Sequence, residues 1–246
     1  MPRLNSFFVS PQNWPTAIGE TVVLDGPEAR HMGTVLRTVP NQTVRLFDGQ
    51  GHDGLFSIRE AGKRRAVLDA VQLDEHAAPV NGITVAIGWG KSKRRKYLLE
   101  KSVELQGAGI VFWQANRSQG LVPAAVKDAW VDTTIQAAKQ CGATFLPKIQ
   151  TAPGGIDTLI TLRDSYDHVV VAWESDSIAT RLSPDMLARG RTLVVIGPEG
   201  GFDDDEAQRL IQANFVPVTF GQSILRWETA ATYCLSLAMF GIQEAS

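Results

Sequence analysis

Four near-continuous apolar runs limit most tightly what this chain can become: GITVAIGW (residues 82–89), GIVFWQA (109–115), HVVVAWE (168–174) and TLVVIG (192–197). A strand reads apolar at almost every position when both of its faces are covered, as in a parallel sheet between layers of helices. Helical stretches separate the runs. Residues 95–106 carry Tyr97, Leu98, Val103 and Leu105, and VKDAWVDTTIQAAKQCG (126–142) closes on Gly142. DDDEAQRLIQANF (203–215) precedes one more strand, VPVTFG. The last helix starts near Glu228 and sets Ala230, Cys234, Leu237, Ala238 and Gly241 on one face. Strands alternating with helices predict an α/β domain with a mostly parallel sheet.

The first 75 residues follow another pattern. TVVLDG, QTVRLFDGQG, GLFSIREA and RRAVLDAVQL are short strand-like segments, and the first two carry Asp-Gly turn signals. Between the first two, PEARHMGTVLR sets Ala29, Met32, Val35 and Leu36 on one helical face. Several short strands with one helix predict a small β-barrel, a frequent platform for oligonucleotides. The polar stretch DEHAAPVNG (74–82) is the expected boundary, giving domains at 1–75 and 80–246.

The composition, 44% hydrophobic and 20% charged, is that of an ordinary globular protein rather than a disordered chain. No run of 18 apolar residues occurs, so no transmembrane helix is expected. Residues 1–8 hold one charge and no apolar core, so no secretory signal is expected and the predicted location is cytoplasmic. Two cysteines and four scattered histidines lack the spacing of a disulfide framework or a metal site. Cys141 and Cys234 are expected to be small packing residues, and Trp89 and Trp113 core or dimer contacts. His31, on the barrel helix, is expected to be structural or RNA-facing rather than a metal ligand.

The net charge of −2 hides an asymmetry. Residues 81–150 hold 10 basic and 4 acidic side chains, whereas residues 151–246 hold 6 and 13. The middle excess gathers in Lys91, Lys93, Arg94, Arg95, Lys96 and Lys101. Cations at a helix start oppose the dipole at about 0.3–1 kcal/mol each. A solvated helix start would gain nothing from them, so the cluster points to a polyanion such as nucleic acid.

Two loops look chemical. Gly197, Pro198, Glu199, Gly200, Gly201 and Phe202 follow an apolar strand, where ligands lie in open α/β sheets. Three glycines and a proline require special backbone angles or close ligand approach. No Gly-Lys-Ser/Thr follows. Instead come Asp203, Asp204, Asp205 and Glu206, which suit a helix N-terminus with Asp203 as cap and Glu206 closing a capping box. Those carboxylates would repel a triphosphate and favour a neutral or cationic ligand. The second loop, FGQSILRWETA (220–230), again joins a strand to a helix. Arg226 in its apolar surroundings has no packing reason, whereas Glu228 also suits a helix start.

IGPEGGFDDDE and FGQSILRWETAA resemble the two loops of SPOUT-class methyltransferases that make 3-methyluridine in 16S ribosomal RNA (RsmE type). HMGTVLR…VRLFDGQG is similar to that family's N-terminal PUA-like barrel. KSKRRKYLLEKSVELQGAGIVFWQANRS resembles its lysine-containing helix, with Lys101 and Glu104, and the loop with Arg117 and Ser118; QAAKQCGATFLPKI resembles the next helix. The resemblance implies an α/β fold with a C-terminal trefoil-knotted SPOUT domain behind a PUA-like β-barrel. It also implies S-adenosylmethionine as cofactor, 16S rRNA of the small ribosomal subunit as substrate, a homodimer, and neither metal nor membrane.

Carried onto this chain, the cofactor would meet three segments. These are Ala172, Trp173 and Glu174; Gly197, Pro198, Glu199, Gly200 and Gly201; and Phe220, Gly221, Ile224, Leu225, Arg226 and Thr229. The implied catalytic residues are Arg226, on the charge developing on uracil or on phosphate, and Glu228, orienting Arg226 or accepting the proton. RNA contacts would come from Arg30, Arg37, Lys91, Lys93, Arg94, Arg95, Lys101 and Arg117. The second loop departs from the family with Gln222 for a usual proline, Ser223 for a common arginine and Trp227 for a common threonine. Trp227 is expected to stack a base. Two other functions fit the same residues: a SPOUT enzyme with another product, such as a ribose 2′-O-methyl, and an RNA-binding assembly protein that has lost catalysis.

Overall fold

The computed structural model describes residues 4–90, 94–174 and 180–245. The chain divides into two compact units, one up to Ala78 together with Ile135–Leu146, the other made of Pro79–Thr134 and the chain from Pro147 onward.

In the first unit, β1 (Ser6–Phe8), β2 (Thr21–Asp25), β3 (Thr43–Phe47), β4 (His52–Ala61) and β5 (Arg65–Glu75) form one sheet in the order β1-β3-β4-β5-β2. Only β1 runs parallel to its neighbour. Alternate residues of these strands, among them Val22, Leu24, Leu46, Phe56, Ile58 and Leu68, close on a core with Phe7, Ala29 and Met32. The helix α1 (Gly26–Arg30) continues into a π-helical turn, His31–Val35. That turn rotates the face expected from the sequence: Val35 and Leu36 are 65% and 36% exposed, and only Ala29 and Met32 are buried. Buried Lys139 lies 2.8 and 3.0 Å from the two carboxylate oxygens of Glu28 and 3.3 Å from His31 Nδ1. His31 is thus a structural histidine.

The second unit is a six-stranded parallel sheet. Its strands are β6 (Gly82–Gly88), β7 (Gly109–Trp113), β8 (Lys148–Ala152), β9 (His168–Ala172), β10 (Arg191–Ile196) and β11 (Val216–Val218), in the order β11-β9-β10-β6-β7-β8. Every residue of β6 and β7 is buried, because helices cover both faces. Ile83, Val85, Ile87, Ile110 and Phe112 point to the side of α2 (Arg95–Glu104) and α6 (Trp227–Glu244). Ala86, Val111, Trp113, Leu193 and Val195 point to the side of α4 (Ile156–Leu162) and α5 (Asp204–Gln212).

The helix α3 (Asp128–Cys141) sits in the sequence between β7 and β8. Two elements have no counterpart in the apolar pattern: β8, a polar edge strand (KIQTA), and the short α4. Cys234 is buried as expected, and burial pushes its thiol pKa up; Cys141 is exposed and outside the core. Among the described residues no helix is long and apolar enough to cross a membrane.

Candidate functional site

The carboxyl ends of β9, β10 and β11 open into a cleft of about 750 Å3. Two connections shape it, each where the sequence places a glycine-containing loop. In the first, Gly201 N–H donates to Pro198 O at 2.9 Å and Gly201 takes φ +71°, a turn that suits glycine. Phe202 then drops inward and stacks on Trp113, centroids 5.7 Å apart and planes at 24°. Trp113, fully buried, donates its Nε1 to Ile196 O at 3.1 Å, one residue before the loop. On the other side the loop leans on β6: a Cβ at Gly88 would lie 2.3 Å from Pro198 N.

The capping box forms as the sequence predicts. Asp203 accepts from Glu206 N–H at 2.8 Å, and Glu206 accepts from Asp203 N–H at 3.2 Å. These contacts also clamp a third loop that the sequence did not connect to them. Asn116 N–H donates to Glu206 Oε1 at 2.7 Å, and its side-chain amide donates to Asp203. Burial pushes the Glu206 carboxyl up, whereas the Glu206 N–H and the Asn116 amide hold Asp203 below the usual carboxylate range. Arg117, next in the chain, donates to Gly200 O at 3.2 Å.

The second loop turns at Gly221, φ +118°, with Gly221 N–H donating to Thr219 Oγ1 at 3.2 Å. Phe220 packs against Tyr233 of α6, centroids 5.5 Å apart. Arg226 is the residue before α6, exposed, lining the cleft, and without an ion pair among the described residues.

Of the residues expected at a cofactor, Ala172, Trp173, Glu174, Gly197, Pro198, Glu199, Gly200, Gly201, Phe220, Gly221, Ile224, Leu225 and Arg226 line this cleft; Thr229 does not. Arg94 and Arg117, expected at RNA, line it too, as does Glu228. Arg30 and Arg37 are exposed on the first unit. Arg95 and Lys101 lie on α2 away from the cleft lining, Lys101 bonded to Glu104. Lys91 and Lys93 lie outside the described residues.

Two expectations are corrected. Glu228 does not orient Arg226: the cation bonded to its carboxylate is Arg94. Trp227 is no stacking platform. It is 6% exposed in the core beneath the cleft, and its Nε1 donates to Glu199 Oε1 at 3.0 Å. It reaches the cleft lining, but with 6% exposure it has too little open surface for a base to stack on.

Among the described residues the cleft wall carries Glu174, Glu199 and Glu228 against Arg94, Arg117 and Arg226, with no lysine. Among the described residues no cluster of His, Cys, Asp and Glu is arranged to hold a metal ion. A volume within the usual 300–1,000 Å3 range suits a small organic ligand. Its carboxylates and guanidiniums balance, so the described lining carries no net charge.

Residues 76–239 match the model of an RNA methyltransferase domain, and residues 24–71 that of an RNA methyltransferase PUA domain. The chain is 28% identical over 226 residues to the ribosomal RNA small subunit methyltransferase E of Mycobacterium tuberculosis, covering 88% of this chain and 85% of that one. The crystal structure of a ribosomal RNA small subunit methyltransferase E from Neisseria gonorrhoeae, bound to S-adenosyl methionine, superposes with a TM-score of 0.79 at 25% identity over 95% of this chain and 96% of that one. A putative methyltransferase from Legionella pneumophila shares the fold, with a TM-score of 0.81 at 22% identity over 99% and 98% of the two chains. The architecture is a PUA-like domain followed by a parallel α/β RNA methyltransferase domain, as in these methyltransferases.

Proposed function

The chain belongs to the RNA methyltransferase family, and from that membership we propose that it methylates N3 of a uridine in 16S ribosomal RNA, using S-adenosylmethionine. The observation that carries this is the meeting of residues 172–174, 197–201 and 220–226 at one cleft. Its glycine-rich wall, with three carboxylates and three arginines in balance among the described residues, suits a small ligand carrying charge of both signs. When bound, the cofactor supplies an electrophilic methyl group.

The residues of the chain then have three tasks. Backbone groups of the two loops hold the donor, which is why glycine rather than a charged side chain stands at Gly197, Gly200 and Gly201. Arg226, charged at every working pH, stabilises the negative charge that grows on the uracil oxygens as N3 gives up its proton to water. Neutral uracil is a poor nucleophile at N3, so that stabilisation acts on the step that limits the chemistry. The two loops and Arg226 together bring methyl and nitrogen into line, which supplies much of the rate. The target base is unpaired or flipped out to reach the cleft. The barrel, with Arg30 and Arg37, and the basic stretch from Lys91 hold the RNA around it.

The chain acts as a homodimer on the small ribosomal subunit, in the cytoplasm. In support, α6 presents Tyr233 and Phe240, 38% and 55% exposed and two helical turns apart, with partly buried Leu237 between them. Such a stripe on a solvent-facing helix suits a second protein surface.

The test uses small subunits from a bacterium lacking the modification, purified protein and S-adenosylmethionine labelled on its methyl group. Labelled 3-methyluridine after digestion is the expected result. Another labelled nucleoside would move the target, and absence of label together with absence of cofactor binding by calorimetry would leave an RNA-binding protein.

A finer prediction concerns the loop itself. Gly88→Ala sets a methyl group where Pro198 N and Cδ, at 2.3 and 2.6 Å, leave no space. One is backbone and the other belongs to the rigid proline ring closed on it, two residues past β10, so the loop must shift, at about 1–3 kcal/mol for overpacking of this kind. Calorimetry should show weaker cofactor binding, with a lower melting temperature; unchanged values of both would disprove the close approach.

A further inference from the structure

Glu228 and Arg94 are 134 positions apart in sequence, yet the Arg94 guanidinium donates to the Glu228 carboxylate. The two partners are unequally placed: the Glu228 side chain is 7% exposed, that of Arg94 51%. A carboxylate so far withdrawn from water needs a charged donor. Arg94 also stands at the cap of α2, where the helix dipole disfavours a cation, so its own helix does not hold it there. Glu228 of α6 supplies an anchor.

Arg95, its neighbour, is committed elsewhere: its guanidinium lies 4.0 Å over the Trp89 ring and donates to Gly90 O. Of the adjacent pair, Arg94 alone lines the cleft. The Glu228 position is itself braced, because Trp227, one residue earlier, donates to Glu199 in the cofactor loop. A movement of that loop would therefore be felt at Arg94.

We propose that Glu228 is a positioning residue for Arg94, and that Arg94 grips an anionic backbone oxygen of the RNA beside the target uridine. This rests on the RNA methyltransferase function proposed above. A guanidinium presents five donors in a rigid fork suited to phosphate. Fastening one side of it to a buried carboxylate removes the rotamer freedom that an exposed arginine would lose on binding. The same carboxylate is thereby engaged, which separates Glu228 from proton transfer.

The experiment compares the full chain with Glu228→Gln, Arg94→Ala, Arg94→Lys and the double variant Arg94→Ala/Glu228→Gln. Undermodified small subunits serve as substrate, and kcat and KM for RNA are read apart from cofactor affinity by calorimetry. Each single variant should raise KM for RNA by about tenfold to a hundredfold, the weight of a hydrogen bond to a charged group. Little change is expected in kcat, its pH profile or cofactor affinity. The double variant should be no worse than Arg94→Ala, and Arg94→Lys should recover part of the loss.

A Glu228→Gln variant that loses kcat and one limb of the pH profile, equally in the Arg94→Ala background, would overturn the proposal and make Glu228 the base. Additive losses in the double variant would overturn it as well. Should Arg94→Ala fail to bind cofactor through misfolding, Glu228→Gln and Arg94→Lys carry the comparison. Failure of the unaltered chain to transfer any label would instead strike the methyltransferase function.

Discussion

Arg226→Ala is expected to slow methyl transfer by about 10²–10³-fold, the cost of removing one preorganised donor from a developing oxyanion. The side chain has the features of such a donor. It lines the cleft, it is exposed, and among the described residues no carboxylate neutralises it. Its backbone is fixed, since the Arg226 carbonyl accepts from Ala230 N–H at 2.9 Å as the first bond of α6. A guanidinium does not titrate in the working range, so the variant should keep the shape of the wild-type pH profile while losing its height. Single-turnover transfer to undermodified small subunits is the measurement. Cofactor affinity is the control: a parallel loss there would move Arg226 from the RNA base to the cofactor, and full turnover would remove it from the chemistry.

The split between Arg226 and Arg94 follows from what each one touches. Arg94 is tied to a buried carboxylate and is suited to holding an anion that is already present in the ground state. Arg226 has no such tie and can follow charge that appears only during the reaction. Binding that is equal in ground and transition states shows in KM, whereas binding realised only in the transition state shows in kcat. The two variants should therefore fail in different constants.

Much of this arrangement could be read from local sequence. Residues 82–89 and 109–115 are apolar at nearly every position because both faces of β6 and β7 are covered. The capping box at Asp203 and Glu206 spans four residues and needs no tertiary information. The strand β8 escaped because an edge strand needs only one apolar neighbour, and KIQTA has no apolar run. The three-residue β1 escaped because its partner is β3, a parallel pairing 39 residues on at Ser6 and Arg45. The face through Val35 and Leu36 failed because a π-helical turn alters the period on which it was built. Around the cleft the misses share one cause. Glu228 stands two residues from Arg226, so adjacency points to that arginine, but the helix start turns its carboxylate toward Arg94, 134 positions away. Trp227 goes into the core because Glu199 offers its indole N–H a partner there. Each is a pairing that the fold makes and no window of sequence contains.

Trp113→Ala should lower the stability of the chain by about 3–5 kcal/mol, the range for removing a large aromatic side chain from a core. Trp113 is fully buried at the end of β7 and does more than fill volume. Its Nε1 holds Ile196 O at the last residue of β10, and its ring face supports Phe202 at the far end of the glycine-rich loop. The loop is thus pinned at both ends by one side chain, at residues six positions apart on the chain and joined through a single indole. Trp113→Phe separates the two functions. It keeps a ring against Phe202 but loses the hydrogen bond, so its cost should be only about 0.5–1.5 kcal/mol. Urea denaturation followed by circular dichroism reads both variants without relying on the altered fluorophore. If the pinning is as described, Trp113→Phe also weakens cofactor binding beyond its effect on stability, because the loop then starts from a looser end. Equal stability losses in the two variants would show that the hydrogen bond, not the ring, carries the contact; no loss in either would show that the stack and the bond at Trp113 hold nothing in place.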